Sequence, residues 1–177
     1  RLQQEKLDLE EKIKQIKGEI DEIENSAAIA LQSLHNKLWN NLAPTKRDLT
    51  LVNEQKFLGE FSQFLESKGL AFPERVIRAF HTSLKVQDIS ALAILAGISG
   101  TGKSELPQRY ADYTGSQMLT LAVQPRWDSP QDLQGFYNYI EKKYKPTDLM
   151  RGLYQYDNDP QMKDRLVIVL LDEMNLA

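Results

Sequence analysis

Cysteine is absent from the 177-residue chain, which removes disulfides, thiolate zinc sites and cysteine nucleophiles together and suits a reducing cytoplasm. Histidine is scarce. His35 and His81 stand far apart with no ligand spacing between them, so they read as ordinary surface or helix residues and not as metal ligands. Basic charge is not in excess: Lys+Arg 22 against Asp+Glu 25 leaves a net charge of -3, which offers no general field to nucleic acid or an anionic membrane, local patches aside. No apolar run approaches the roughly 18 residues needed to cross a bilayer, so no membrane partner is expected. What is present, 41% hydrophobic residues, suffices for one ordinary core.

The densest chemical signal lies at Leu92–Ser104. An apolar run over 92–96 reads as a strand entering a glycine-rich turn, Gly97-Ile98-Ser99-Gly100-Thr101-Gly102-Lys103-Ser104, which has the G-x-x-x-x-G-K-[ST] form of a phosphate loop. Glycines at 97, 100 and 102 let the backbone turn tightly, so the amides of Gly97, Ser99, Gly100, Thr101, Gly102 and, at the start of the next helix, Glu105 can surround a polyphosphate. Lys103 is then in reach of the β- and γ-phosphates, and Ser104 is suited to put its hydroxyl on Mg²⁺. An apolar run at Leu166–Leu171 reads as a strand buried on both faces of a parallel sheet. It delivers Asp172 and Glu173 at its carboxyl end, where ligands bind in open α/β sheets. Asp172 is suited to orient the metal and Glu173 to accept a proton from the attacking water. Lys103 and Glu173 are therefore the candidate catalytic residues, and Ser104 and Asp172 the candidate metal ligands.

The amino-terminal segment has a different grammar. From Leu9 onward, Ile13, Ile16, Ile20, Ile23, Ala27, Ala30 and Leu34 recur at alternating steps of four and three, the period of a coiled-coil seam. Leu2 continues the seam backwards, with Lys6 as its polar intrusion. Such a helix exposes too much apolar surface to stand alone, so residues 2–34 are expected to meet a partner helix. Asn40–Thr45, with Pro44, ends the helical pattern. The chain thus divides on sequence into a coiled-coil helix (1–42), helices leading to the core (43–88) and a Walker-type core (89–177).

Between these landmarks, Leu51–Leu65 and the segment from Pro73 to Leu84 read as amphipathic helices, the first ending at Gly69. Helix is expected from Glu105, with a local irregularity at Pro107. Gln117–Val123 reads as a short buried strand. Phe136–Ile140 and Tyr144–Pro146 read as a hairpin turning at Glu141–Lys143, and Thr147 caps a following helix. The hairpin tyrosines are expected to pack it onto the core. Stacking on single-stranded nucleic acid is the alternative, given Lys142, Lys143 and Lys145 beside them.

Taken together, Gly97–Ser104 and Leu170-Leu171-Asp172-Glu173-Met174-Asn175-Leu176-Ala177 resemble the Walker A and Walker B motifs of AAA+ ATPases close to the McrB-type restriction NTPases and dynein-related ATPases. Pro125-Arg126-Trp127-Asp128 and Leu133-Gln134-Gly135-Phe136-Tyr137-Asn138 resemble the segment where that group interrupts its second core helix with a hairpin. The resemblance implies an α/β P-loop NTPase fold with an incomplete parallel sheet flanked by helices, with Mg²⁺ and ATP as cofactors and GTP left open. It also implies self-association into a ring, usually a hexamer, and work on a macromolecular partner, as in a restriction or defence system. In that family the sensor strand, arginine finger and lid follow Walker B, so the chain is expected to be a portion of a longer protein, weak or inactive in isolation. A coiled-coil assembly protein using the nucleotide as a switch, with little turnover, is the other reading.

Overall fold

The computed structural model describes residues 2–40, 42 and 53–174, with side chains from Lys12 onward. The chain is mixed α/β, in the order α1 (Leu2–Leu31), α2 (Glu54–Ser67), α3 (Glu74–Lys85), α4 (Glu105–Thr114), β1 (Gln117–Ala122), α5 (Pro130–Gln134), β2 (Gly135–Asn138), β3 (Lys143–Pro146), α6 (Asp148–Asn158) and β4 (Val167–Asp172). It separates into two compact units that interleave in sequence, one made of 1–40 with 126–163, the other of 41–125 with 164–177. The expected break at Ala43–Thr45, the start of the second helix at Leu51 and the segment Asn175–Ala177 lie outside the described residues.

The second unit is built on α2, α3 and α4 against a two-stranded sheet. Asn53 starts α2 by accepting from the backbone N–H groups of Gln55 (3.0 Å) and Lys56 (3.3 Å), satisfying donors that the first helical turn leaves unpaired. Gly69 takes φ +75° just past the end of α2, and the Leu70 N–H returns to the Leu65 carbonyl at 3.0 Å. Along α2, Phe57, Leu58, Phe61 and Leu65 fall on one face and are buried with Ile77 and Phe80 of α3, Leu106, Tyr110 and Ala111 of α4, and Ile168 of β4. Pro107 sits within the first turn of α4, where its missing N–H costs nothing, so the helix runs on without the irregularity that proline suggested.

β1 and β4 pair in parallel from Gln117↔Val167 to Ala122↔Asp172. Two expectations need correction here. Residues 92–96 join no ladder among the described residues: the parallel sheet consists of β1 and β4 alone, and neither outer edge is paired with this segment. Leu92 and Ile94 are 70% and 81% exposed while Leu95 rests on the core. Nor is β4 buried along its whole length on both faces: Ile168 is covered by the core, whereas Val169 is 37% exposed.

A buried polar pair crosses this core. The Nδ1 of His81 lies 2.8 Å from the Tyr110 hydroxyl, and its Nε2 lies 3.4 Å from Glu54. Burial pushes the Tyr110 hydroxyl up to about 12 and holds His81 below its ordinary 6.5, the latter against the pull of Glu54. The unfolded chain therefore takes up a proton that the folded chain resists. This contribution to stability is complete above pH 6.5 and declines as the pH falls through the depressed folded value. Urea midpoints should drop between about pH 7.5 and about pH 5.5, and His81→Phe, which keeps a ring against Phe57, should flatten that slope. An unchanged slope in that variant would refute the assignment.

The first unit holds α1, the hairpin and α6. Gln155 of α6, 4% exposed, accepts from the N–H groups of Leu38 (2.9 Å) and Trp39 (3.0 Å) and donates to the Trp39 carbonyl (2.8 Å), clamping the end of the amino-terminal arm. A Cβ on Gly152 would lie 3.0 Å from the Trp39 ring, so the helix is bare where that ring passes. Leu34, read as a seam residue, is instead buried in this unit, because α1 ends at Leu31 and the 3₁₀ turn Gln32–His35 redirects the chain. Ile13, Ile16, Ile20 and Ile23 keep about half or more of their surface exposed.

The hairpin turn sits earlier than expected, at Tyr139–Lys142. Asn138 Oδ1 accepts from the Ile140 and Glu141 N–H groups, and Lys142 takes φ +51° to close the turn. Of the three tyrosines only Tyr144 turns inward, donating to the Gln134 carbonyl at 2.5 Å. Tyr139 and Ile140 are 83% and 95% exposed, which corrects the expectation that the tyrosines pack the tip down. Tyr137 and Tyr139 meet edge to face at 5.1 Å. No helix among the described residues is long and apolar enough to cross a membrane.

Candidate functional site

The loop at 97–104 belongs to the second unit and ends as α4 begins. Gly100 and Gly102 take φ +80° and +81°, a left-handed conformation in which a side chain is strained, so both glycines are required by the turn itself. Gly102 is constrained twice over. A Cβ there would lie 2.7 Å from the ring of Phe72, which packs on the loop from the segment leading into α3. At Gly97 the same atom would come 3.4 Å from Thr101 Oγ1. Thr101 and Lys103 both turn inward, their side chains donating to the Ile98 carbonyl at 2.9 and 2.8 Å. Lys103 Nζ thus lies across the mouth of the loop, on a flexible stem that must swing away for the ammonium to meet an anion.

Ser104 occupies the position before the first residue of α4, where a serine commonly caps its own helix, yet it makes no such bond. Its hydroxyl donates instead to Asp172 Oδ1 at 3.0 Å, across 68 positions of sequence. The carboxylate also accepts the Glu173 N–H at 3.1 Å. Parallel pairing sets Asp172 opposite Ala122 at the carboxyl end of the sheet, and α4 starts where that end opens.

Glu173 is exposed and sits at φ +59°. A non-glycine residue in the left-handed region carries backbone strain of about 1–3 kcal/mol, the kind that collects at ligand sites and switches. Glu105 is engaged elsewhere, since its carboxylate accepts from Arg109 Nε at 3.0 Å and holds that guanidinium above its ordinary value. Its carboxylate is thus committed within α4. No protein family, curated protein or solved structure matches the chain.

Among the described residues no three His, Cys, Asp or Glu side chains gather as an all-protein metal cage. Mg²⁺ does not require one: it keeps several waters and takes one or two protein oxygens together with those of its phosphates. A serine hydroxyl and a carboxylate within 3.0 Å are hard oxygen donors of the right kind and number for that cation. The chain brings together Ser104, at the end of the 97–104 loop, and Asp172, and leaves Glu173 one residue beyond. Phe72 is the member that motif reading misses. Its only signal in the sequence is position, an aromatic one residue before the Pro73 that introduces α3.

Proposed function

We propose that this chain binds a nucleoside triphosphate with Mg²⁺ at the 97–104 loop and hydrolyses it, as part of an AAA+ type ring assembly that works on a macromolecular partner. The observation that carries the reading is the 3.0 Å bond from Ser104 to Asp172, which unites the Walker A-like hydroxyl and the Walker B-like carboxylate. Supporting it are the left-handed glycines, which aim backbone donors into the loop, and the start of α4, whose positive end favours an anion.

In this reading Mg²⁺, held by Ser104 and Asp172, would neutralise charge on the phosphate oxygens. Lys103 leaves the Ile98 carbonyl and binds the terminal phosphates, its charge drawing electron density from the bond that breaks. Glu173 accepts a proton from the attacking water. Phosphoryl transfer is mainly positioning and charge stabilisation, and what these residues lack is a cation on the far side of the γ-phosphate, which a neighbouring ring subunit would supply. Phe72, packed on Gly102, is a candidate for contact with the base, which leaves ATP and GTP both open. The exposed hairpin tip, with Tyr139 and Ile140 free of the core, suits contact with the macromolecule that the ring acts on.

The test is equilibrium titration of the chain with a fluorescent ATP analogue, with and without Mg²⁺. Lys103→Ala removes one charge-assisted contact and should weaken binding by about 10–100-fold. Equal affinity in wild type and variant would overturn the assignment of the loop.

A further inference from the structure

The seam of α1 is an apolar stripe that its own unit leaves open. Ile13, Ile16, Ile20 and Ile23 are 51, 55, 48 and 67% exposed on a continuous helix. Their spacing assigns Ile13 and Ile20 to heptad position a and Ile16 and Ile23 to d. The flanks follow from the same register: Lys12 and Glu19 fall at g, Lys17 and Glu24 at e, and all four are exposed.

These flanks select against the simplest partner. When identical helices run parallel and in register, each g residue faces the e residue of the neighbour's following heptad, so Lys12 would meet Lys17 and Glu19 would meet Glu24. Every such contact sets like charge on like, in a pair or a trimer, and charges at these positions decide partner and orientation. Reversing one helix changes the pairing, because g then faces g and a layers pack on d. We infer that α1 pairs antiparallel with α1 of a second copy of this chain, the two-fold axis passing between Ile13 and Ile16. Ile13 of each copy then packs on the other's Ile16, and Lys12 of each lies beside the other's Glu19. Self-complementarity of this kind is what a two-fold interface requires. The anchoring of the helix end agrees with it. Ser33 Oγ donates to the Tyr144 carbonyl at 2.5 Å, tying the carboxyl end of the arm to its hairpin. A parallel pair would press the two lysine-bearing hairpins together, whereas the antiparallel pair holds them at opposite ends.

The inference is independent of the nucleotide site, and charge reversal tests it with opposite signs for the two orientations. In sedimentation equilibrium of the full chain, Lys12→Glu should weaken self-association by about tenfold, because both copies of the Lys12–Glu19 contact become repulsive. The double variant K12E/E19K should restore it. In a parallel pair K12E would strengthen association instead, by facing Lys17. The chain has no cysteine, so single substitutions report orientation cleanly. Ile23→Cys alone should give no disulfide dimer, the two sites being about 25 Å apart along the paired helices, while a mixture of I23C and K6C chains should cross-link. Tighter association of K12E, a homodimer from I23C alone, or a wild-type chain that stays monomeric throughout would each overturn the inference.

Discussion

Glu173→Gln is expected to lower steady-state phosphate release by about 10²–10⁴-fold, the range typical for loss of a positioned general base, while nucleotide affinity stays unchanged. The two readouts separate because the roles do. In the proposed reading affinity would rest on the loop amides, Lys103 and the oxygens of Ser104 and Asp172, none of which the substitution alters. Turnover would rest on a carboxylate able to take a proton, and glutamine keeps the size and the strained φ of +59° while losing that ability. The measurement pairs phosphate release by the assembled protein with a binding titration of the same preparation. Loss of binding along with turnover would mean that residue 173 shapes the end of β4 and performs no proton transfer. Unchanged turnover would remove the base from the proposal altogether.

Much of this arrangement is legible in the residues, for reasons that also mark where legibility stops. The glycine spacing in the 97–104 loop announces a turn because φ near +80° at Gly100 and Gly102 is open to few other residues. The start of α6 is readable because Thr147 caps it with its own side chain, a local transaction, whereas the Asn53 cap that starts α2 falls inside the helix read from Leu51. Strand assignment is another matter. Apolar content makes 92–96 resemble a strand as closely as 167–172, but a strand exists only with a ladder beside it, and the partner is a fact about the whole sheet. The hairpin errs for a related reason. Alternating aromatics say that one side of a ribbon is apolar, without saying whether anything covers it, and here Tyr139 and Ile140 remain in the open. Phe72 escapes motif reading because packing of its ring against Gly102 is a tertiary contact across a loop, with no period or cap to declare it.

Phe61→Ala is expected to cost about 3–5 kcal/mol of folding stability, the range for truncating a fully buried aromatic, and to carry the loop with it. Phe61 is wholly buried, with its ring 5.3 Å from those of both Tyr110 and Tyr113 on α4. It is therefore the main tie between α2 and the helix whose first turn closes the loop. At about 1.4 kcal/mol for each factor of ten, the ratio of folded to unfolded molecules falls by between two and four orders of magnitude, a large part of the 5–15 kcal/mol that keeps a typical domain folded. Phe64, one turn further along α2, is a useful control. It packs beside the cluster without being fully covered, so Phe64→Ala should cost distinctly less. Urea unfolding of the two variants gives the comparison, and their nucleotide affinities give the second half of the argument. If the core holds α4 in place for the loop, affinity should fall in Phe61→Ala even where most molecules remain folded, and should be nearly normal in Phe64→Ala. Equal losses of stability in the two would show that the aromatic cluster is not centred on Phe61. Normal affinity in a folded Phe61→Ala chain would show that the loop keeps its shape by its own glycines and by the Ser104–Asp172 bond, without support from α2.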